Sequence, residues 1–148
     1  MTSAGDDVDG ELALADTSLF MEAEPERPLS SRPPEHVAVS VVTAGELRLG
    51  VLAAPDGPTR ARRLATRSVA AALHPLPVDE QGAHARAALR LALRDAGRRM
   101  RINDAWIAAT AIANDLALAS QDSDYDDIPG VRVIRVCGRT ARHKTREG

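Results

Sequence analysis

The chain has 148 residues, a formal net charge of −2, and 44% apolar but only 2% aromatic residues. This length is most simply one domain, able to bury roughly 68–70% of its unfolded surface, with a core of Ala, Leu and Val rather than aromatics. A single cysteine, Cys137, excludes an internal disulfide framework and a cysteine-based zinc site. No apolar run approaches the roughly 18–20 residues that span a bilayer. The acidic N-terminus lacks the basic and apolar regions of a secretory signal, so a soluble protein of the cytoplasm is expected. The small net charge conceals an asymmetry. Residues 1–26 carry eight acids and no Lys or Arg, which leaves 13 acids against 19 basic residues in the remainder, nearly all arginine.

In chain order, residues 1–11 read as a disordered acidic extension. Leu12–Ala15 is a short apolar strand that ends at Asp16, and Thr17 or Ser18 is placed to cap a helix. Residues 24–36 form a Pro-rich loop. Val37–Ser40 reads as a second strand. Thr43-Ala-Gly-Glu46 fits a capping box that opens a helix through about Ala53. After Pro55-Asp-Gly-Pro58, a helix bearing Arg60, Arg62, Arg63 and Arg67 ends near Leu73. His74–Val78 is extended, its prolines suiting a sheet edge. Asp79 caps a helix to about Ala96 that stops at Gly97, and Arg86, Arg90, Arg94 and Arg98 recur along it as one positive ridge. A further helix spans Asn103 to about Asn114. Strands follow at Leu116–Ala119 and Val131–Val136, and residues 137–148 form a basic tail. Strands separated by helices predict an α/β fold with a mostly parallel sheet, whose site lies beyond the carboxyl ends of the strands.

Four acids stand at element junctions: Asp16, Glu46, Asp104 and Asp122. Clustered carboxylates repel one another, and a divalent cation relieves them; Mg²⁺ and Mn²⁺ prefer such oxygen ligands. Each acid also has a plainer role. Asp16 caps a helix, Glu46 completes a capping box, Asp104 meets a helix dipole, and Asp122 makes a turn. Asp124 is either a solvated turn residue or an outer ligand.

The residues then become specific. Asp16-Thr17-Ser18, Ser40-Val-Val-Thr-Ala-Gly-Glu46-Leu-Arg-Leu-Gly50, Asn103-Asp104-x-Trp-Ile-Ala-Ala, and Ser120-Gln-Asp122 followed by Asp124-Tyr125 occur in that order. Over residues 12–136 this pattern resembles the PIN-domain ribonucleases, and within them the VapC toxins of bacterial toxin–antitoxin pairs. The resemblance implies a three-layer PIN-like fold in which Asp16, Glu46, Asp104 and Asp122 form the catalytic acidic site. Asp16, Asp104 and Asp122, with Glu46 and Asp124 as further candidates, would bind one or two Mg²⁺ or Mn²⁺ ions. Ser18, Asn103 and Ser120 would orient ligands or water around them. It further implies an endoribonuclease of structured or translation-related RNA, a VapB-like antitoxin partner and a homodimer. Three departures stand out: Ser120 where Thr is frequent, Ala117 where Pro is frequent, and Gly45 before the glutamate, which would loosen that helix start.

Arg98, Arg99 and Arg101 lead into the Asp104 motif and are the candidate RNA contacts. Trp106 either packs or stacks on a base. His36, His74, His84 and His143 lie outside the acidic motifs, and no Ser/His/Asp grouping suggests a triad hydrolase. Two other readings stay open: a catalytically silent antitoxin-binding partner in a regulatory complex, and a PIN nuclease of RNA processing without a toxin role.

Overall fold

A computed structural model of the protein describes residues 12–21 and 36–136. The acidic extension, most of the Pro-rich loop, Cys137 and the basic tail lie outside the described residues. Four short strands, β1 (Leu12–Ala15), β2 (His36–Ala38), β3 (Ala117–Ser120) and β4 (Val133–Arg135), form one sheet in the order β2-β1-β3-β4. Every pairing is parallel, with Leu14 opposite Ala38 on one side and Leu118 on the other, and Leu118 opposite Val133. Five helices connect and flank the sheet: α1 (Thr17–Met21), α2 (Val41–Leu52), α3 (Gly57–Ala71), α4 (Glu80–Asp95) and α5 (Ile102–Ala113).

The two central strands are apolar up to Ser120, the last residue of β3, because both faces of the sheet are covered. Leu14 and Leu118 point into the main core with Leu89 and Leu93 of α4 and Ala105, Ile107, Ala108 and Ala111 of α5. Ala13, Ala117 and Ala119 face the opposite layer, against Val136 and Leu19 of α1. The alternation follows from the two-residue period of a strand. Val39, Leu47 and Ala70 join α2 and α3 in a third cluster. Leu14, Leu118 and Ile107 are fully buried. Truncating any of them to Ala should cost about 2–5 kcal/mol through lost transfer energy and the cavity left behind.

The chain moves from β1 outward to β2, then returns to place β3 on the other side of β1. The connections therefore diverge between β1 and β3, and a crevice forms at their carboxyl ends. Asp16 directly follows β1, and Asp122 lies two residues beyond β3. The fold thus brings together acids more than 100 positions apart.

The structure departs from the sequence reading in several places. The second strand ends at Ala38, and Ser40 is a cap instead: its side chain accepts from Thr43 N at 3.1 Å, and α2 starts at Val41. Thr43 therefore lies inside the first turn of α2, and Glu46 is not the acid of a capping box. Gly45 does not interrupt the helix; it is exposed within it, with open space where a Cβ would stand. Leu76 makes a parallel bridge to Ser40, so His74–Val78 does extend the sheet edge locally. The last strand is shorter than expected, at Val133–Arg135, and Ser123–Tyr125 forms a single 3₁₀ turn.

Candidate active site

Asp16 is 3% exposed and is bound at both carboxylate oxygens. Tyr125 Oη donates to Oδ1 at 2.9 Å. Ser120 Oγ donates to Oδ2 at 2.9 Å, and the Ser18 backbone N–H approaches the same oxygen at 3.3 Å. Asp16 itself, rather than Thr17 or Ser18, therefore caps α1. Ser120 is completely buried, and its hydroxyl also accepts from Asp122 N at 2.9 Å. One hydroxyl thus ties the first acidic motif to the fourth, which a Thr in its place would also do. Ser18 Oγ accepts from Gln121 N at 3.3 Å and bridges the same two segments from the other side.

Glu46 projects from the second turn of α2 and is clamped between two elements. Thr17 Oγ1 donates to Oε1 at 2.6 Å, and Asn103 Nδ2 donates to Oε2 at 3.1 Å. Thr43 Oγ1 lies 2.9 Å from Thr17 Oγ1. Thr17 has one hydroxyl hydrogen and spends it on Glu46, so Thr43 is the donor between the two threonines. This explains why Thr43 is buried inside a helix: its hydroxyl supports the site.

Asp104 sits in the first turn of α5, where the helix dipole favours an anion. Its neighbourhood is nevertheless unfavourable to charge. Burial pushes its carboxyl up to about 6, and the charge of Asp16 adds to this. A hydrogen bond with Tyr125 draws it partly back, while Glu46 and Asp122 push it further up. The same surroundings hold the Tyr125 phenol far above its ordinary range, through burial first and then the charges of Asp16 and Asp104, so Tyr125 stays a donor. Asp122 opens the 3₁₀ turn, its side chain accepting from Asp124 N at 3.0 Å. Asp124 is exposed and lines a cleft of about 450 Å³ with Asp104, Arg98, Arg99, Met100, Arg101 and Ser123.

The structure thus gathers Asp16, Glu46, Asp104 and Asp122 at one end of the sheet, within electrostatic reach of Asp104. Among the described residues, no three His, Cys, Asp or Glu side chains form a ready-made ligand cage. The donors still suit a hard divalent cation. They are all oxygen, and after burial it is the charge of the neighbouring acids that holds Asp104 up. Mg²⁺ needs only one or two carboxylates directly, because it keeps several of its waters. The remaining acids can act through those waters.

The arginines divide. Arg98 Nη1 donates to the carbonyls of Asp126 and Asp127 at 3.2 and 3.3 Å, which braces the loop after Tyr125. Arg99 and Arg101 are exposed beside Asp104. The ridge of Arg86, Arg90 and Arg94 lines a groove of about 1100 Å³ that continues past Arg98 and Arg99. Arg86 lies over the Trp106 ring, 5.4 Å from its centroid, so that face of the ring is already taken. Two residues at the site have a part that the sequence did not assign them: Thr17, expected only as a candidate cap, and Tyr125. Both stood inside the acidic motifs, next to or near an acid, and that adjacency was the signal available.

Comparison with known proteins agrees with this fold. Residues 13–131 match the PIN domain. The chain is 46% identical over 127 residues to the Mycobacterium tuberculosis protein Ribonuclease VapC5, spanning 83% of this chain and 94% of that one. It is 47% identical over 129 residues to Ribonuclease VapC4 of the same organism, spanning 84% and 96%. The crystal structure of VapBC-5, a member of the VapBC family of toxin–antitoxin systems from M. tuberculosis, superposes with a TM-score of 0.75 at 43% identity, covering 85% of this chain and 99% of that one. The chain belongs to the PIN-domain family, and within it to the VapC group.

Proposed function

We propose that this protein is a divalent-metal-dependent endoribonuclease, the toxin of a toxin–antitoxin pair. The observation that carries the reading is the meeting of Asp16, Glu46, Asp104 and Asp122 at the point where the connections of β1 and β3 diverge. Relatives of 46% and 47% identity are ribonucleases by name, and this supplies RNA as the substrate class. The VapBC-5 likeness supplies a VapB-like antitoxin as partner. The homodimer implied by the family resemblance belongs to the same reading.

Asp16, Asp104 and Asp122 would hold one or two Mg²⁺ or Mn²⁺ ions, with Glu46 and Asp124 at the margin. The bound cation supplies water activation and charge neutralisation at a phosphodiester undergoing in-line attack. The chain's own residues do the rest. Thr17 and Asn103 keep Glu46 from swinging into solvent. Ser120 and Tyr125 fix Asp16. Arg99 and Arg101 attract the RNA backbone to the edge of the cleft. Because α2 runs uninterrupted through Gly45, a loosened helix start gives no support to a catalytically silent chain.

The test is cleavage of RNA by the purified protein with Mn²⁺, with a chelator, and by the Asp104→Asn variant. Cleavage is expected only from the wild-type protein with the cation. Undiminished cutting in chelator, or by the variant, would overturn the reading. Relief of growth arrest on co-expression of a small gene immediately upstream checks the antitoxin.

A further inference from the structure

Tyr125 is the only tyrosine of the chain and is completely buried in the main core. A buried phenol needs a partner for its hydroxyl. Here the partner is a carboxylate of the acidic site, Asp16 Oδ1 at 2.9 Å, with Asp104 as a second acceptor within reach of the same hydroxyl. The other Asp16 oxygen is taken by Ser120 and the Ser18 N–H. The carboxylate is thus gripped from two segments, and rotation about its last torsion is blocked.

The loop that carries Tyr125 is itself braced. Asp122 caps the start of the 3₁₀ turn, and Arg98 ties down its far side through the Asp126 and Asp127 carbonyls. Arg135 adds an ion pair to Asp126 at 3.2 Å. Core packing alone does not need the hydroxyl, because Phe would fill the same space. The hydroxyl is spent on the site.

We propose that Tyr125 is a positioning residue: its hydroxyl holds the Asp16 carboxylate in the orientation in which the acidic cluster takes up a divalent cation. The inference rests on reading that cluster as a cation site. The ring anchors the hydroxyl in the core, so this hold on Asp16 does not depend on the exposed Asp124. Loss of one such supporting hydrogen bond weakens metal affinity typically 10–100-fold.

The test is calorimetric titration of Mn²⁺ into the metal-free wild-type protein and its Tyr125→Phe variant, with melting curves for both. The variant is expected to melt cooperatively, roughly 5 °C lower, and to bind Mn²⁺ about tenfold more weakly. With RNA at an Mn²⁺ concentration that saturates the wild-type protein but not the variant, kcat should fall while KM for RNA holds, since Tyr125 does not touch RNA, and saturating Mn²⁺ should restore kcat. Equal Mn²⁺ affinity in the two proteins overturns the assignment of Tyr125 alone. Absence of Mn²⁺ binding by the wild-type protein overturns the cation reading and this one with it. A second measurement does not need the variant to fold. With 3-fluorotyrosine replacing the one tyrosine, the ¹⁹F resonance reports on this ring only. It is expected to shift on saturation with Mg²⁺, and an unmoved resonance overturns the proposal.

Discussion

Asp16 and Asp104 carry the same formal charge at the same end of the sheet, yet their surroundings are opposite. Asp16 is almost completely buried and accepts from Tyr125, Ser120 and the Ser18 backbone. Asp104 is partly exposed, and burial first, then the charges of Asp16, Glu46 and Asp122, hold its carboxyl up to about 6. Asp16 is therefore part of the scaffold as well as the site: its charge satisfies buried donors. Asp104 is a charge the apo fold tolerates poorly. The difference separates an acid that folding needs from one that only function explains.

The largest expected effect follows from the poorly tolerated acid. Asp104→Asn should lower RNA cleavage by about a thousandfold or more, because a misplaced cation forfeits several kcal/mol of transition-state stabilisation. Single-turnover cleavage at fixed Mn²⁺ measures this. A variant within tenfold of the wild-type rate would make Asp104 dispensable and break the comparison.

Stability should move in opposite directions at the two positions. Asp16→Ala strands the buried hydroxyls of Tyr125 and Ser120 and should cost about 2–4 kcal/mol. In metal-free protein at pH 7, Asp104→Asn should stabilise by about 1–2 kcal/mol, a figure reduced for solvent screening of a partly exposed group. Urea unfolding of the two variants checks both signs. Destabilisation by Asp104→Asn would show that its charge is satisfied after all.

The pH dependence sharpens the same point. Asp104 is held up to about 6 in the folded state, against an ordinary value of 3.8. Between these values the folded chain binds more protons than the unfolded one, so stability falls as pH rises. The contribution is complete below about 3.8 and gone above about 6. Carboxylates outside the four-acid cluster cancel in the difference between wild type and Asp104→Asn. That difference should grow by about 1–2 kcal/mol from pH 4 to pH 7 and then stay flat. A flat difference across the whole range would show that neither burial nor the neighbouring acids raise Asp104.

The two acids also show what could be read from sequence. Asp16, Asp104 and Asp122 were legible because each stands where a strand ends or a helix begins, and such junctions of an α/β fold face one crevice. The α/β class was legible from short apolar runs alternating with helical ones. The start of α2 was not. Ser40 and Thr43 are both cap-type residues, and Glu46 three positions after Thr43 imitates a capping box. Only the burial of Thr43 against Thr17 decides between them. Tyr125 and Thr17 escaped for a related reason. Their partners lie 109 and 29 positions away, and local pattern carries no information about such contacts. The arginines shared one spacing but not one role, because Arg98 alone faces the carbonyls of the following loop.

That last distinction gives the smallest predicted effect. Arg99 and Arg101 are exposed at the cleft, and the RNA contact proposed for them is electrostatic. Arg99→Ala and Arg101→Ala should each weaken RNA binding only a few-fold and reduce the salt slope by about 0.7, the value for one phosphate of a single strand. Melting should be unaffected, since neither side chain supports a described contact. Arg98→Ala should do the reverse. Its guanidinium satisfies two loop carbonyls, so its loss should lower the melting temperature by roughly 3–6 °C, about what 1.5 kcal/mol produces in a domain of this size. The salt slope of RNA binding should change little. Salt titrations and melts on the three variants separate the roles. An Arg98→Ala variant with unchanged melting and a reduced slope would return Arg98 to the RNA-binding set and leave the Tyr125 loop without its brace.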